Sequence, residues 1–196
     1  MKRVFDLVFS FIGLVLLSPL FFLVALIIRL DDFGQIFYLQ ERVGLCKKVF
    51  KIYKFRTMKP QSDLQGLLTV GVNDQRITRF GYHLRKYKVD ELPQLINVLK
   101  GEMSFVGPRP EVKRFVDYYS KEQLKVFSVK PGMTDKASII YRNESDLLAQ
   151  SKNSEQYYLD VVMPNKLKIN LEYIEKNNIW QDIFIIVDTI KSVVLG

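Results

Sequence analysis

The chain has 196 residues, 48% of them hydrophobic, enough for one compact domain plus a membrane element without a second domain. Its 29 lysines and arginines against 21 acidic residues leave a net charge of +8, which selects an anionic partner: phospholipid headgroups, nucleic acid or a phosphorylated substrate. The single cysteine, Cys46, excludes an internal disulfide and fits a reducing compartment, and the single histidine, His83, lacks partners for a zinc site.

Residues 7–28 carry no charge, so roughly 22 residues are long enough to cross a bilayer as one helix. Lys2 and Arg3 precede this run as in a signal peptide. The run exceeds an ordinary h-region, however, and Arg29, Asp31 and Asp32 follow instead of a small-x-small cleavage site, so the segment is expected to be retained. Ser18 and Pro19 interrupt the run near its middle. Proline removes an amide donor and collides with the carbonyl four residues back, at Val15. A kinked span, a buried core helix and a helix that enters the bilayer and returns all accommodate this. Charge favours the third: basic residues stand on both flanks, Lys2 and Arg3 before and Arg29, Arg42, Lys47, Lys48 and Lys51 after, and positive residues prefer the cytoplasmic side. Ser18 is placed to bond a carbonyl that Pro19 leaves unpaired. The expected division is a re-entrant membrane helix over 1–30 and a cytoplasmic domain over 31–196.

Further along, residues 49–58 are rich in β-branched and aromatic side chains and predict a strand. Residues 60–75 have few apolar anchors and read as a loop. Leu92, Leu95, Ile96 and Leu99 follow helical spacing, Gly101 supplies a stop, and Asp90 would be the N-cap with Pro93 in the first turn. The "FVGPRPE" segment is extended, because residues before proline avoid the helical region. A helix is expected over 111–127, and residues 178–196 form either a core helix or one lying on the membrane surface. No repeat or low-complexity stretch occurs.

The densest chemical constellation is "RITRFGYHLRKYKVDELPQLINVLKGEMSFVGPRP", in which Asp90 and Glu91 stand between groups of cations. Asp-Glu alone reads as a helix cap in a solvated turn. Set among arginines, it reads differently: guanidinium forks match phosphate oxygens, magnesium bridges carboxylate and phosphate, and aspartate is a competent nucleophile toward phosphorus. No P-loop or dinucleotide fingerprint is present, and no recognised nucleic-acid-reading motif appears, so no nucleic-acid partner is expected.

"KRVFDL…LLSPLF", "ERVG", "KFRTM" and "VDELPQLINVLKGEMSFVGPRP" together resemble the bacterial sugar transferases called small monotopic phosphoglycosyl transferases, in order over residues 2–110, with weaker agreement through "KPGMT". The resemblance implies an α+β fold, mainly helical with a small sheet, whose Ser18–Pro19 break makes the N-terminal helix re-entrant. It also implies catalysis by Asp90 and Glu91 with Mg2+ as their metal, Glu91 either assisting with the ion or taking a proton, together with a UDP-sugar donor and a polyprenyl (undecaprenyl) phosphate acceptor. UMP would be released through a phosphosugar carried on Asp90, at the cytoplasmic face of the bacterial inner membrane. Lys54, Arg56, Arg85 and Arg109 would contact phosphates. After Gly132 the chain reads "PGMTDKASIIYRNES", away from the commoner family pattern, with Arg142 as the loose counterpart of a family arginine. The identity of the sugar and a homodimer stay open. The rival class is a non-catalytic basic peripheral protein.

Overall fold

The computed structural model describes residues 2–32, 34–62, 66, 68–71 and 74–194. The architecture is α+β and mainly helical. It begins with α1 (Lys2–Asp32), followed by the antiparallel hairpin β1 (Phe37–Val43) and β2 (Val49–Phe55), in which Tyr38 faces Lys54 and Arg42 faces Phe50. Then come α2 (Arg79–Lys86), a 3-10 segment (Val89–Gln94), α3 (Leu95–Lys100), β3 (Ser104–Val106) and α4 (Lys113–Val116). β4 (Gly132–Thr134) pairs in parallel with β3, and the chain closes with α5 (Lys136–Ile140), α6 (Glu144–Ala149), α7 (Ser154–Tyr157), α8 (Met163–Lys176) and α9 (Ile179–Val194).

α1 continues through Pro19. Ser18 Oγ donates to the Val15 carbonyl at 2.8 Å, the group that the proline deprives of its amide partner. The helix leaves Val4, Phe9, Phe11, Val15, Leu16 and Phe22 exposed, and its composition and length qualify it as a candidate membrane segment. Both of its ends nevertheless touch the same domain. Near the start, Lys2 pairs with Asp182 of α9 at 2.7 Å, and buried Asp6 accepts from Ser104 Oγ and the Phe105 amide, each at 3.1 Å. Near the end, Val24 and Ile28 are buried with Phe55 and Leu84.

The main core gathers Phe115, Phe127, Tyr158, Met163 and Leu167 under the hairpin. The expected strand over 49–58 is found as β2, ending at Phe55. The expected loop over 60–75 lies partly outside the described residues; Arg76 holds its described part through Asp74 and the carbonyls of Ser62, Gly66 and Leu68. The helix expected over 111–127 is instead two short pieces, α4 and a 3-10 turn at Gln123–Ser128. Ser120 and Gln123 bond each other's amides reciprocally, which starts a new helical turn there rather than continuing the old one. α9 is neither wholly core nor free: Ile185 and Asp182 are buried, while Trp180, Phe184, Ile190 and Val194 are exposed.

Candidate active site

Asp90 and Glu91 lie in the 3-10 turn Val89–Gln94, which α3 follows. The N-cap expected of Asp90 is not found. Lys88, in the left-handed region at φ 55°, caps the turn, and α3 begins only after Gln94. Pro93 sits inside the turn, without an amide to donate, so the helical register restarts behind it. The expected stop at Gly101 is present, in left-handed conformation at φ 86°.

Freed from capping, Asp90 has an unusual environment. It is 7% exposed, and its Oδ1 has no hydrogen-bond partner. Burial, and then the neighbouring Glu91 charge, push the Asp90 carboxyl up to about 6, against the pull of Lys54, Lys88 and Arg85. Glu91 goes the other way. Burial alone would raise it, but Arg109, Lys54 and Lys88 hold it well below the usual carboxylate range. Arg109 forks onto Glu91, with Nη1 on Oε2 at 3.1 Å and Nη2 on Oε1, and Lys54 Nζ reaches Oε1 at 2.9 Å. Burial lowers Lys54 to about 8 even though Glu91 pulls it up.

The elements that place these cations follow from local sequence. Lys54 is near the end of β2, and its hairpin partner Tyr38 fixes the register. Arg109 lies between Pro108 and Pro110 in a turn braced by two glycines: a Cβ on Gly107 would lie 2.5 Å from the Lys130 carbonyl oxygen, and one on Gly132 only 2.2 Å from the Gly107 amide nitrogen. The "PGMT" and "VGPRP" segments therefore pack backbone to backbone, which side chains at these positions would prevent. Arg42 of β1 donates to the Pro110 carbonyl at 3.1 Å and pairs with Glu111 at 3.2 Å, and the Tyr158 hydroxyl donates to Glu111.

Of the expected phosphate-binding residues, the fold brings Lys54 and Arg109 onto the dyad. Arg85 stands near Asp90, and its Nη2 donates to Thr69 Oγ1 at 2.8 Å. Arg56 turns away: a Cβ on Gly34 would lie 2.0 Å from its Nη1, so its guanidinium lies over Gly34. Arg142 stands in the turn between α5 and α6, two residues before Glu144, whose charge is felt at Arg109; Glu144 itself pairs with Lys166 at 2.6 Å. The sequence does not single out Lys88 or Glu111, and it offers Arg42 only as a flanking charge. A lysine before a valine carries no sign that it will adopt the left-handed conformation, and the partnership of Arg42 with Glu111 spans 69 residues.

Among the described residues no group of three or more His, Cys, Asp or Glu side chains could hold a metal ion. Asp90 offers a buried, uncommitted carboxylate oxygen, whereas both Glu91 oxygens are bonded to cations. Such an arrangement suits a phosphate-bearing substrate, because the cations offset the repulsion between carboxylate and phosphate, and an unengaged carboxylate in a dry site is a poised nucleophile.

Comparison with known proteins points the same way. The family model "Bacterial sugar transferase" matches residues 1–196. The chain is 34% identical, over its whole length, to the UDP-N-acetylgalactosamine-undecaprenyl-phosphate N-acetylgalactosaminephosphotransferase of Aeromonas hydrophila, of which it covers 44%. It is 39% identical over 97% of its length to the undecaprenyl-phosphate glucose phosphotransferase of Komagataeibacter xylinus, of which it covers 35%. It is also 32% identical, over its whole length, to the exopolysaccharide production protein ExoY of Rhizobium meliloti (strain 1021), covering 86% of that protein. The chain thus spans less than half of the first two relatives and most of the third. This chain belongs to the bacterial sugar transferase family.

Proposed function

We propose that the protein transfers a sugar 1-phosphate from a UDP-sugar to undecaprenyl phosphate, releasing UMP and starting assembly of a surface glycan. The supporting observation is the contrast within the dyad: Asp90 is buried with an unbonded oxygen, and Glu91 is clamped by Lys54 and Arg109. The carboxylate oxygen of Asp90 attacks the sugar-bearing phosphorus of the donor. A new O–P bond forms as the bond to UMP breaks, and UMP leaves with the electron pair. An oxygen of the lipid phosphate then attacks the same phosphorus and returns the Asp90 carboxylate. Glu91 orients the two cations that face the phosphates, and Arg85 joins them by releasing Thr69. Arg142 borders the donor site from the α5–α6 turn, where the chain leaves the commoner family pattern.

Mg2+ is the proposed cofactor, and its fit rests on the unpartnered Oδ1 of Asp90. Asp90 would hold it directly, together with donor phosphate oxygens, while Glu91 reaches it only by yielding one of its cation contacts. Bound there, the ion supplies charge neutralisation for the diphosphate.

We also infer that α1 is re-entrant, with both ends on the cytoplasmic side of the inner membrane. A straight crossing would put about 30 Å of hydrocarbon between Lys2 and a domain that follows Arg29. The Lys2–Asp182 ion pair at one end and the burial of Val24 and Ile28 at the other favour a single side.

The test of the chemistry is a half-reaction. Enzyme given a panel of UDP-sugars and Mg2+ without lipid should release at most one equivalent of UMP and carry a phosphosugar adduct on the Asp90 peptide by mass spectrometry. Turnover by Asp90→Asn together with an unmodified wild type overturns the covalent route.

A further inference from the structure

A second basic site lies away from the dyad. A cavity of about 340 Å³ is lined by Lys2, Arg3, Asp6, Ser104, Ser128 and Lys130, among others. Arg3 is fixed there because its Nη1 and Nη2 donate to the carbonyls of Val98 and Leu99, at 2.6 and 2.9 Å, in the last turn of α3. That is the opposite end of α3 from Asp90. A Cβ on Gly101 would lie 3.0 Å from Arg3 Nη2 and 3.6 Å from Lys130 Nζ, so two cationic heads converge on one point.

The acidic groups nearby are already engaged. Asp6 accepts from Ser104 Oγ and the Phe105 amide, and Asp182 takes Lys2 and the Tyr173 hydroxyl. Lys130 makes no hydrogen bond or ion pair among the described residues, and three of the five Arg3 N–H groups remain for a ligand. Converging like charges with free donors around a cavity form an anion site, and a guanidinium beside an ammonium suits the oxygens of a phosphate. The surroundings indicate where such a phosphate would lie. Val4 and Val8, in the same turns of α1 as Arg3 and Asp6, are exposed, and the Lys2–Asp182 pair ties this end of α1 to α9, whose Trp180 is 69% exposed. An exposed tryptophan and exposed aliphatic residues on the two helices joined at a basic cluster fit a headgroup layer.

We propose that this cavity binds a phosphate group, carried by an anionic lipid headgroup or free in solution, independently of chemistry at Asp90. The test uses the full chain in nanodiscs of phosphatidylcholine with or without phosphatidylglycerol, and native mass spectrometry counts the phosphatidylglycerol retained. A parallel arm follows thermal stabilisation of the phosphatidylcholine sample by inorganic phosphate against chloride at matched ionic strength. Lys130→Gln removes one cation, Ser128→Asp places a carboxylate in the cavity, and Lys125→Gln, at an exposed ion-paired lysine, controls for net charge. The first two should weaken binding roughly 10-fold or more while the control matches wild type. Loss confined to the phosphatidylglycerol arm identifies a lipid headgroup, and loss in the inorganic phosphate arm identifies a soluble anion. Wild type indifferent to both, or Lys130→Gln and Ser128→Asp behaving like Lys125→Gln in both arms, overturns the site. UMP release by each variant reports that it has folded.

Discussion

Replacing Asp90 by asparagine should stabilise the protein while abolishing turnover. In the folded chain, burial and the Glu91 charge raise the Asp90 carboxyl from the ordinary value of 3.8 to about 6. Folding therefore favours the protonated form, and the native state pays for holding the carboxylate charged. At about 1.4 kcal/mol per pKa unit, this costs about 3 kcal/mol once the group is ionised in both states. Asparagine keeps the shape without the charge, and Oδ1 has no hydrogen bond to lose. The sign with pH is fixed: the wild type loses stability as pH rises from about 4 through about 6, so the variant's advantage is nearly absent at pH 4 and complete above pH 7. For a chain of this length, that corresponds to a Tm rise of roughly 6–12 °C. Thermal unfolding of both proteins in the same detergent at pH 4 and pH 7.5 measures it. An Asn variant less stable than wild type at pH 7.5 would refute the claim that Asp90 is a strained functional group and assign it a structural role.

Arg109→Lys should not be conservative, because one ammonium cannot bridge both Glu91 oxygens as the guanidinium does. Losing one charge-assisted bond, worth about 1.5–3 kcal/mol, predicts roughly 10- to 150-fold lower kcat/KM, and near-normal turnover would confine Arg109 to bracing its turn. The pH profile of kcat/KM should rise with ionisation of Asp90 near 6 and fall as Lys54, lowered to about 8, loses its proton. Lys54→Arg keeps the cation and should move the falling limb to higher pH; an unmoved limb would clear Lys54 of that role. Replacing Ser18 and Pro19 with Ala and Leu removes both the proline and the hydroxyl that services Val15, which should favour a straight span and lower activity. Labelling of cysteines introduced at either end of α1, in a Cys46-free background, reads the topology; a wild-type N-terminus labelled from outside the cell sinks the re-entrant arrangement.

What the sequence revealed and what it hid divide along sequence distance. The apolar run, the β2 strand and the Gly101 stop are local patterns, and each lies within a few residues of where it is expected. Asp90 as an N-cap was also a local inference, and it failed because Pro93 delays the start of α3 and Lys88 adopts a conformation that its residue type rarely takes. The 111–127 helix failed through side chain–backbone bonds at Ser120 and Gln123 that compete with helical continuation. Family resemblance placed Lys54 and Arg109 together, though they are far apart in sequence. It also suggested Arg56, which strand alternation would put on the same face as Lys54, but β2 ends at Phe55, and beyond the strand the Arg56 guanidinium lies over Gly34 instead. Arg42 and Glu111 escaped notice because only the meeting of β1 with the segment after Pro110 makes them partners.

The placement of α1 makes sense of where the dyad lies. Leu95, the first residue after the 3-10 turn, packs so near α1 that a Cβ on Gly13 would lie 3.1 Å from its Cδ1. On the other flank, Phe21 meets Phe55 edge-on at 5.4 Å, one residue beyond Lys54, and Val24 and Ile28 pack on Leu84, one residue before Arg85. The residues next to Lys54 and Arg85, and the first residue beyond the dyad's turn, are thus seated on the apolar helix itself. On the proposed function, a long-chain lipid phosphate could not leave the interface without exposing its hydrocarbon, so Asp90 as nucleophile would have to be brought to the depth at which that phosphate lies. For that function, the packing of Leu95, Phe55 and Leu84 on α1 would set this depth by side-chain contact. Asp90 itself is buried where β2 packs on its turn, so the strand that presents Lys54 also helps to desolvate the carboxyl.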